Sequence, residues 1–566
     1  MIGLIAVTAA GQAAAERLAR AWPGETRGYP GPAAAALPRA WAECDALVCF
    51  LATGATIRLI APLLAGKHTD PAVVCVDQAS RHAIALLGGH GADGNRLAAR
   101  VADVLGAEPV ISTATDQAGL PGLDTLGWPA EGAVAAVSRA MLDGEPVRLD
   151  SEDTWPLPAF PPNVLAATEL PEQDAGHRIL ITDQASDGQD PGPGRTVVLR
   201  PPSLAVGVGA SRGVSAAEVL ALIDAALAGA GLSPLSVAAL ATVHAKAAEP
   251  GITEAAARRG WPLVSHAAEV LAAVTVPNPS DAALRAVGTP SVAEAAALTR
   301  GHELVAAKRK SAMATVAVAR IRPRGRLALV GLGPGARDLL PPRAVAELRR
   351  ASVVAGLDQY LDQVGDLLRP GTRLLPSGLG AEEERARAAV TEAQRGHAVA
   401  LVGSGDAGVY SMASPALSLA GEDIDVVTVP GITANLAAAA LLGAPLGHDH
   451  AVISLSDLNT PWPVIGRRVR AAAVGDFVVT FYNPRSQARD WQLRAALDLL
   501  GAHRPASTPA AIVRNANRPG QRITVTTLGK LDTAAVDMLS LVLVGCSATQ
   551  VVAGRMVTPR GYAWQP

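Results

Sequence analysis

Short apolar runs alternate with longer amphipathic stretches over the first 120 residues. The runs at 2–8 and 46–51 predict buried strands, and the spacing of apolar residues at 12–21 predicts an amphipathic helix. Two further strands are predicted at 72–77 and 83–87. This alternation of strands and helices predicts a mainly parallel sheet with helices on its faces.

Two loops in this region follow predicted strands, where ligands bind in sheets of this kind. They are residues 53–56 and the glycine-rich segment 88–95, which contains His90 and leads into a predicted helix at 96–105. Backbone N–H groups at the start of a helix can hold an anion such as a carboxylate. A tight structural turn explains the same glycines, so the pattern leaves both interpretations open.

Polar and proline-containing segments predict where the domains end. Residues 183–195 are polar and rich in glycine and proline, which is typical of a surface loop or linker. Residues 320–326 are basic and are interrupted by Pro323 and Gly325, which indicates the main junction between domains. The expected domains are 1–124, 125–198, 199–322 and 325–566, and the last is expected to have lobes at about 325–435 and 436–566.

Strands and helices alternate again between residues 201 and 320. Strands are predicted at 204–208, 237–243 and 316–320. Ser215 and Glu218 have the spacing of a capping box, in which each side chain bonds the other residue's backbone N–H.

Four loops of small residues follow apolar strands in the last 240 residues. They are 331–335 (GLGPG), 403–410 (GSGDAGVY), 430–434 (PGITA) and 483–486 (NPRS). A helix is expected to begin near Pro341 and Pro342, because proline is tolerated in the first turn. The first loop does not match the G-x-G-x-x-G dinucleotide fingerprint, since Ala336 replaces the third glycine. The repeated order of strand and small-residue loop predicts one shared crevice.

Composition excludes several classes of protein. The net charge of −2 and the 3% aromatic content are unlike those of a nucleic-acid-binding protein. No apolar run reaches 18 residues, so no membrane span is expected. The four cysteines form no C-x-x-C pair, which argues against a disulfide framework or a cysteine metal site. This cysteine usage fits a reducing cytoplasm, which is the expected location. Residues 1–10 lack the basic segment typical of a signal peptide.

The order of five motifs in the C-terminal region resembles the tetrapyrrole methylases, which use S-adenosylmethionine. The motifs are GLGPG, GSGDAGVY, PGITA, FYNPRS and IVRNANRPGQ, within about residues 325–562. Residues 446–462 and the ending VVAGRMVTPRGY resemble precorrin-3B C(17)-methyltransferase, the ring-contracting member of that family. The resemblance implies methylation of ring carbon 17 of precorrin-3B or cobalt-precorrin-3, contraction of the macrocycle, and a homodimer.

The N-terminal region resembles a second enzyme of corrin synthesis, cobalt-precorrin-5A hydrolase. The matching segments are 58–77, 109–116, 243–251 and 287–298 together with LLGGHGADGNRLA. The resemblance implies opening of a δ-lactone with release of acetaldehyde. The hydrolase family usually has a cysteine where this chain has Ala210, which excludes a thiol nucleophile at that position. A non-catalytic corrinoid-binding or scaffold module is therefore an alternative for this half.

The methylase resemblance implies which residues hold S-adenosylmethionine, and their chemistry agrees with that role. Small residues allow close backbone contact, and a carboxylate such as Asp406 complements the cationic end of the donor. Helix N-termini after Gly335 and Pro430 favour its anionic end. The expected cofactor-binding residues are Gly333, Pro334, Gly335, Ser404, Gly405, Asp406, Val409, Thr433, Ala434, Asn483 and Thr526.

Ring contraction requires proton transfer at the substrate, whereas methyl transfer depends mainly on positioning. The candidates for proton transfer are Tyr410, His448, Asp449, His450 and Asp457.

Cationic side chains are expected around a substrate that bears several carboxylates. The C-terminal arginines that could serve are Arg467, Arg468, Arg470, Arg485, Arg489, Arg514, Arg518 and Arg522. The expected substrate-binding residues are Arg485, which is preferred, Arg514 and, in the N-terminal half, Arg58. For lactone opening the candidates are Glu249 or His90 as base and Lys246 as the group that stabilises negative charge.

The sequence therefore predicts a multidomain α/β protein: N-terminal parallel-sheet α/β domains followed by a two-lobed tetrapyrrole-methylase α/β unit. Its expected cofactor is S-adenosylmethionine, with cobalt only as part of the substrate and no metal site of its own. The expected partner is a tetrapyrrole, without nucleic acid or membrane. A methylase acting at another ring position, or on a substrate that is not a tetrapyrrole, is an alternative within the same fold, although residues 446–462 argue against it.

Overall fold

The protein is described from a computed structural model, which covers residues 1–66, 69–89, 92–113, 118–185, 194–486 and 489–562, except the side chains at 282 and 286. The chain forms two compact units. One contains 1–153, 160–323 and 369–371, and the other contains 154–159, 324–368 and 372–566.

The first sheet confirms the predicted parallel arrangement. Its strands are β1 (Ile2–Ala6), β2 (Thr26–Gly28), β3 (Ala46–Phe50), β4 (Ala72–Val76), β5 (His82–Leu87) and β6 (Glu108–Val110), with helices α1 (Ala9–Ala21), α2 (Ala33–Glu43), α3 (Thr53–Ile60) and α4 (Gly94–Leu105). The order is β2-β1-β3-β4-β5-β6, and only β4 and β5 pair antiparallel. Every residue of β4 is buried, which explains why that strand is apolar without alternation.

A second sheet follows, where the sequence pattern is weakest. It contains β7 (Ala130–Gly132), β8 (Val147–Ser151), β9 (Val164–Ala166), β10 (His177–Ile181) and β11 (Thr196–Leu199), with helix α5 (Val134–Asp143). The order is β7-β11-β10-β8-β9. Polar residues stand within its strands: Asp150 accepts hydrogen bonds from Arg148 at 2.9 Å and from Arg178 at 2.5 Å.

The third sheet has the order β14-β13-β12-β16-β15. Its strands are β12 (Leu204–Ala210), β13 (Val237–Val243), β14 (Leu263–His266), β15 (Glu303–Lys310) and β16 (Ala314–Arg320), with helices α6 (Ala216–Gly229), α7 (Pro250–Arg259), α8 (Ala268–Ala272), α9 (Asp281–Val287) and α10 (Val292–Arg300). Of the two hydrogen bonds predicted for the capping box, one is confirmed. Ser215 accepts from the backbone N–H of Glu218, but the Glu218 carboxylate instead accepts from Ser311 and the backbone N–H of Met313.

The C-terminal unit contains a fully parallel sheet of order β19-β18-β20-β17-β21. This sheet with its helices is called the first lobe, and the mixed sheet that follows it in the chain, with its helices, is called the second lobe. The strands of the first lobe are β17 (Arg326–Gly331), β18 (Val353–Leu357), β19 (Arg373–Ser377), β20 (Ala398–Gly403) and β21 (Asp425–Val429), with helices α11 (Pro342–Arg350), α12 (Asp358–Val364), α13 (Glu382–Gln394), α14 (Ala413–Leu419) and α15 (Ala434–Leu442). The predicted helix start at Pro342 is confirmed.

The second lobe is built on a mixed sheet of order β23-β24-β27-β25-β26. This sheet and a small three-stranded one comprise β22 (Gly443–Ala444), β23 (His450–Ser454), β24 (Val478–Tyr482), β25 (Pro509–Arg514), β26 (Arg522–Thr527), β27 (Ser540–Val544), β28 (Gln550–Val552) and β29 (Arg555–Val557), with helices α16 (Trp462–Val474) and α17 (Gln492–Gly501). The observed sheets confirm the multidomain α/β prediction. No helix among the described residues is long and apolar enough to cross a membrane.

Asp150 gives the second sheet a testable dependence on pH. Burial alone would raise the pKa of Asp150, but hydrogen bonds from Arg148 and Arg178 outweigh it and hold that pKa below its usual range. A lowered pKa stabilises the folded state above the ordinary carboxyl pKa of about 4, and this stabilisation is lost as the pH falls through the folded-state value. Asp150→Asn should therefore speed hydrogen exchange in β8 and β10 about tenfold at pH 7, with a smaller effect near pH 3.

The matched control is Asp143→Asn, because Asp143 is an exposed residue paired with Arg139. This variant should exchange like wild type at both pH values. Equal protection of β8 and β10 in Asp150→Asn and wild type at pH 7 would contradict the assignment.

Candidate functional site

Glycines join the ends of the two central strands of the parallel C-terminal sheet. In β17 and β20, Gly331 lies opposite Gly403. Beyond the strands, the N–H of Gly333 donates to the carbonyl of Gly405 at 3.0 Å, and the N–H of Gly405 donates back at 2.7 Å. Gly333 and Gly405 have φ of +74° and +69°, a left-handed conformation that favours glycine. The first two loops therefore form one backbone-paired surface.

The third loop packs against the same surface. A Cβ atom at Gly431 would lie 2.1 Å from the carbonyl oxygen of Gly405 and 2.8 Å from that of Gly331. A Cβ at Gly331 would meet the Gly405 oxygen at 2.7 Å. No side chain fits at these distances, so the closeness of the three loops requires glycine at these positions.

Asp406 ties the second and third loops together. Its Oδ1 accepts from the backbone N–H of Gly408 at 2.8 Å, and its Oδ2 accepts from the backbone N–H of Gly431 at 3.0 Å. The carboxylate is thus held in place by two backbone donors. It places a fixed negative charge beside the glycine surface.

Tyr482, at the end of β24, links the second lobe to the third loop. Its hydroxyl lies 2.5 Å from Thr433 Oγ1 and accepts from the backbone N–H of Asn435 at 2.7 Å. Burial raises the pKa of Tyr482, although the bonds with Thr433 and Asn435 oppose that shift, so the phenol is neutral at pH 7. The sequence analysis did not name Tyr482, although this residue stands inside the FYNPRS motif.

Tyr410 joins the second loop to β23. Its backbone has a φ of +51°, and its hydroxyl donates to the carbonyl of Val452 at 3.0 Å and accepts from the N–H of Ser454 at 3.2 Å. Its ring centroid lies 5.3 Å from that of Tyr482. Asn483, also with a positive φ of +48°, donates to Ser454 Oγ at 3.1 Å. Tyr410 and Asn483 therefore both form hydrogen bonds with Ser454, the last residue of β23.

Three further cofactor candidates occupy different positions in the unit. Ala434 is the first residue of α15, directly after Thr433. Val409 is half-buried, and its N–H donates to the Asp406 carbonyl at 3.3 Å. Thr526 lies in β26 opposite Ala510 of β25. Thr526 has no contact with the glycine surface in the hydrogen-bond network of the described residues.

The other candidates for proton transfer stand on or near β23. The His448 and Asp449 side chains are 53% and 79% exposed, and His448 Nδ1 accepts from the Asp449 N–H at 2.8 Å. His450 is the exposed first residue of β23. Asp457 Oδ2 accepts from Gln492 Nε2 at 2.9 Å. These polar contacts do not bring the four residues into the group formed by Tyr410, Tyr482 and Thr433.

The arginines chosen from the sequence have partners of their own. Arg485 donates to the carbonyl of Thr533 at 2.9 Å, and Arg514 forms an ion pair with Asp537 at 2.8 Å. Arg518 instead reaches the glycine loops. Its Nε donates to the carbonyl of Pro334 at 2.5 Å, and its Nη2 donates to Ser404 Oγ at 2.6 Å.

The N-terminal unit contains a second polar group at the carboxyl end of the third sheet. The Glu249 carboxylate accepts from the backbone N–H of Gly213 at 2.6 Å and lies 3.7 Å from Lys246 Nζ. Lys246 follows β13, whose last residue, Val243, pairs with His266 at the end of β14. Lys246, Glu249 and His266 thus stand at the carboxyl ends of neighbouring strands, where ligands commonly bind.

His266 was missed by the sequence analysis, because only the pairing of β13 with β14 places it beside Lys246. Its Nε2 is buried without a hydrogen-bond partner in the described structure. Burial lowers the pKa of His266, and electrostatic interaction with Arg300 and His244 lowers it further, so the ring is a neutral base at pH 7.

Of the two other N-terminal candidates, only Arg58 belongs to the described residues. Arg58 lies on α3, beside the first sheet, and donates to the Gly54 carbonyl at 3.1 Å. His90 lies outside the described residues. No group of three or more side chains suited to bind a metal occurs in the part of the chain that the structure describes.

Comparison with protein families identifies both halves of the chain. Residues 326–532 match the family model of tetrapyrrole (corrin/porphyrin) methylases. Residues 35–116 match the model of the cobalamin synthesis G N-terminal region, and residues 204–319 match that of the cobalamin synthesis G C-terminus.

Individual relatives cover the methylase half. A probable cobalt-factor III C(17)-methyltransferase of Salmonella typhimurium is 46% identical over 42% of this chain and 99% of its own length. A precorrin-3B C(17)-methyltransferase of a Sinorhizobium species is 40% identical over 42% of this chain and 98% of its own length. Among solved structures, the crystal structure of the methyltransferase CobJ matches with a TM-score of 0.40 and 39% sequence identity. The match covers 42% of this chain and 100% of the CobJ chain.

The two relatives match this chain over almost their whole lengths, and the family models follow one another along it in order. The chain therefore belongs to the tetrapyrrole methylase family through its C-terminal region and carries both cobalamin synthesis G segments ahead of that region, as a fusion of a methyltransferase with a probable hydrolase.

Proposed function

We propose that this chain carries out two steps of corrin-ring synthesis. Its C-terminal half, residues 325–566, methylates ring carbon 17 of precorrin-3B or cobalt-precorrin-3 and contracts the macrocycle. Its N-terminal half opens the lactone of cobalt-precorrin-5A and releases acetaldehyde. The observation that carries the methyltransferase part is the glycine surface, in which Gly331, Gly405 and Gly431 bring three loops so close together that a Cβ atom would not fit between them. The hydrolase part is supported by the Lys246–Glu249 pair.

The glycine surface and its neighbours suit S-adenosylmethionine. Gly333 and Gly405 carry no side chains and adopt left-handed backbone conformations, so no Cβ atom projects from the paired turn of the first two loops. Asp406 supplies a fixed negative charge that complements the cationic part of this donor. When bound, S-adenosylmethionine supplies an activated methyl group on its sulfonium. The remaining cofactor contacts proposed are Pro334, Gly335, Ser404, Val409, Thr433, Ala434, Asn483 and Thr526.

The main contribution of the chain's own residues to methyl transfer is to position the methyl donor and the macrocycle. Tyr482 holds the third loop by its bonds with Thr433 and Asn435, so the donor surface and the second lobe keep one geometry. A fixed geometry of this kind converts methyl transfer into an effectively unimolecular step. Peripheral carboxylates of the macrocycle are held by Arg485 and by Arg514, and Arg514 shares its charge with Asp537.

Ring contraction needs a group that moves a proton at the meso-carbon hydroxyl, while a substrate carboxylate forms the lactone. Tyr410 is the best supported of the proposed groups, because its hydroxyl is oriented by β23 and its ring lies beside Tyr482. His448, His450, Asp449 and Asp457 are the other proposed groups.

Lactone opening is assigned to the group at the end of the third sheet. Water attacks the lactone carbonyl carbon, its proton passes to Glu249, and the lactone C–O bond breaks with return of that proton to the leaving oxygen. The hydroxyl so formed then loses its proton as the C–C bond to the macrocycle breaks, so that acetaldehyde leaves and the ring carbon takes up a proton in its place. Lys246 stabilises the negative charge that develops on the carbonyl oxygen. His90 and Arg58 are further proposed contributors in the first domain.

The proposal extends to the location, oligomeric state, partners and domain bounds of the protein. The chain is a cytoplasmic homodimer that binds neither nucleic acid nor membrane, and cobalt enters only inside the substrate. Its domains are 1–124, 125–198, 199–322 and 325–566, with lobes at about 325–435 and 436–566. Support comes from the balanced charge and from the methylase resemblance.

One alternative has a specific observation in its favour. Ala210 ends β12, where the hydrolase family usually has cysteine, so the N-terminal half could bind a corrinoid without hydrolysing it. Incubation of the full chain with a lactone-bearing intermediate separates the two functions, because only a hydrolase releases acetaldehyde.

Asp406→Ala should weaken binding of S-adenosylhomocysteine about tenfold or more, because it releases the backbone N–H groups of Gly408 and Gly431. Isothermal titration calorimetry of the full-length protein measures the affinity. Glu383→Gln, an exposed change on α13 in the same lobe, is the control and should bind like wild type. Equal affinities in all three proteins would contradict the assignment.

Product mass tests the methyl transfer itself. Full-length protein incubated with S-adenosylmethionine and precorrin-3B, or its cobalt form, should yield a product with one added methyl group and a contracted ring. The form of precorrin-3 that gains the methyl group, with or without cobalt, is the substrate. A product without the methyl group in both would refute the proposed reaction.

Glu249→Gln should slow acetaldehyde release from the lactone about 100-fold while leaving methyl transfer unchanged, because it removes the proposed base. Glu254→Gln is the matched control, since Glu254 is exposed on the same helix and pairs with Arg258. Undiminished release in Glu249→Gln would exclude Glu249, and absence of release from wild type would favour the non-catalytic alternative.

A further inference from the structure

A side chain of the second lobe lies directly on the glycine loops of the first. The Nε and Nη2 atoms of Arg518 donate to Pro334 and Ser404, which are 184 and 114 residues away in the sequence. A Cβ at Gly335 would lie 2.7 Å from both Cγ and Nε of Arg518. The side chain therefore packs flat against backbone that only glycine leaves open.

The turn that carries Arg518 is firmly built. It connects β25 with β26, and Asn515, Asn517 and Gly520 adopt φ of +50°, +58° and +75°. The N–H of Arg518 donates to the Asn515 carbonyl at 3.0 Å, and the N–H of Asn517 donates to Gln521 Oε1 at 2.8 Å. Such a turn presents the guanidinium in one position at little further cost in entropy.

Within the described part of the chain, the charge of Arg518 is not matched by an acidic partner. Both of its acceptors are neutral oxygens, and no acidic side chain among the described residues forms an ion pair with it. The guanidinium has five N–H donors, so donors remain beyond the two in use. Arg514, at the base of the same turn, is paired with Asp537. Arg518 is thus a half-buried cation next to the glycine loops, and some of its N–H groups remain free to donate hydrogen bonds.

We propose that Arg518 is a positioning residue that binds a carboxylate beside Pro334 and Ser404. A planar guanidinium binds a carboxylate through two parallel hydrogen bonds, which fixes orientation as well as affinity. The carboxylate comes from the amino-acid part of the methyl donor or from a side chain of the macrocycle. The inference rests on the proposed methyltransferase function and adds to it the group that orients one reactant.

The experiment uses full-length protein with Arg518→Gln, which removes the charge, and Arg518→Lys, which keeps the charge but loses the planar fork. Arg494→Gln is the control, because Arg494 is exposed on α17 of the same lobe and pairs with Asp498. Three quantities are measured for each protein. They are the affinity for S-adenosylhomocysteine, the affinity for methylthioadenosine, which lacks the amino-acid part, and the KM and kcat for the macrocycle.

If the donor supplies the carboxylate, Arg518→Gln weakens S-adenosylhomocysteine binding by about 10-fold to 100-fold and leaves methylthioadenosine unchanged. If the macrocycle supplies it, the KM for the macrocycle rises by a similar factor while both nucleoside affinities stay constant. Arg518→Lys should give an intermediate loss in the same quantity. If Arg518→Gln does not fold, Arg518→Lys provides the test in its place. Values for the Arg518 variants equal to those of Arg494→Gln would overturn the inference.

Failure of the proposed function has a different signature. Wild-type protein would then bind no S-adenosylhomocysteine and transfer no methyl group. Normal binding and transfer in wild type, unaffected by either Arg518 variant, would overturn only the role of Arg518.

Discussion

The C-terminal half depends on a steric constraint that no side-chain interaction could replace. Gly331, Gly405 and Gly431 bring three loops so close that a single Cβ atom would overlap a carbonyl oxygen. Because the loops pair through their backbones, they form a surface rather than three independent turns. Asp406 then locks two of them, and Tyr482 connects the third to the other lobe. The three loops and the end of β24 are thereby fixed relative to one another.

The two halves of the chain use the same principle with different chemistry. In both, polar groups gather where parallel strands end. The C-terminal group consists of backbone amides, one carboxylate and two phenols, which suits positioning of a reactive cofactor. The N-terminal group combines Lys246, Glu249 and His266, which suits water activation and charge stabilisation. In the proposed function, the fusion joins a site that orients reactants with one that transfers protons.

Much of the fold could be predicted because its strands are buried on both faces and read as continuous apolar runs. The strands at Ala72–Val76 and Val237–Val243 lie within a residue of their predicted bounds. The helix Ala9–Ala21 begins three residues before its predicted start, because Thr8 accepts from the Gly11 N–H. The second sheet was hardest to predict, since charged residues such as Asp150 interrupt its strands.

Contacts distant in sequence limited prediction of the site. Glu218 bonds Ser311 rather than completing its local cap, and nothing near Glu218 in the sequence indicates that choice. Arg518 was one arginine among eight until its turn was seen to reach Pro334. His266 became a candidate only when strand pairing placed it opposite Val243. Glycine loops could be identified, because their spacing is local, but their mutual contact could not.

The most direct test of the account is a crystal structure of the full-length protein with S-adenosylhomocysteine. The ligand should lie against Pro334, Asp406 and Thr433, with its amino-acid part held by the backbone of the glycine loops. A ligand bound elsewhere in the chain, or saturating conditions that leave this surface empty, would contradict it.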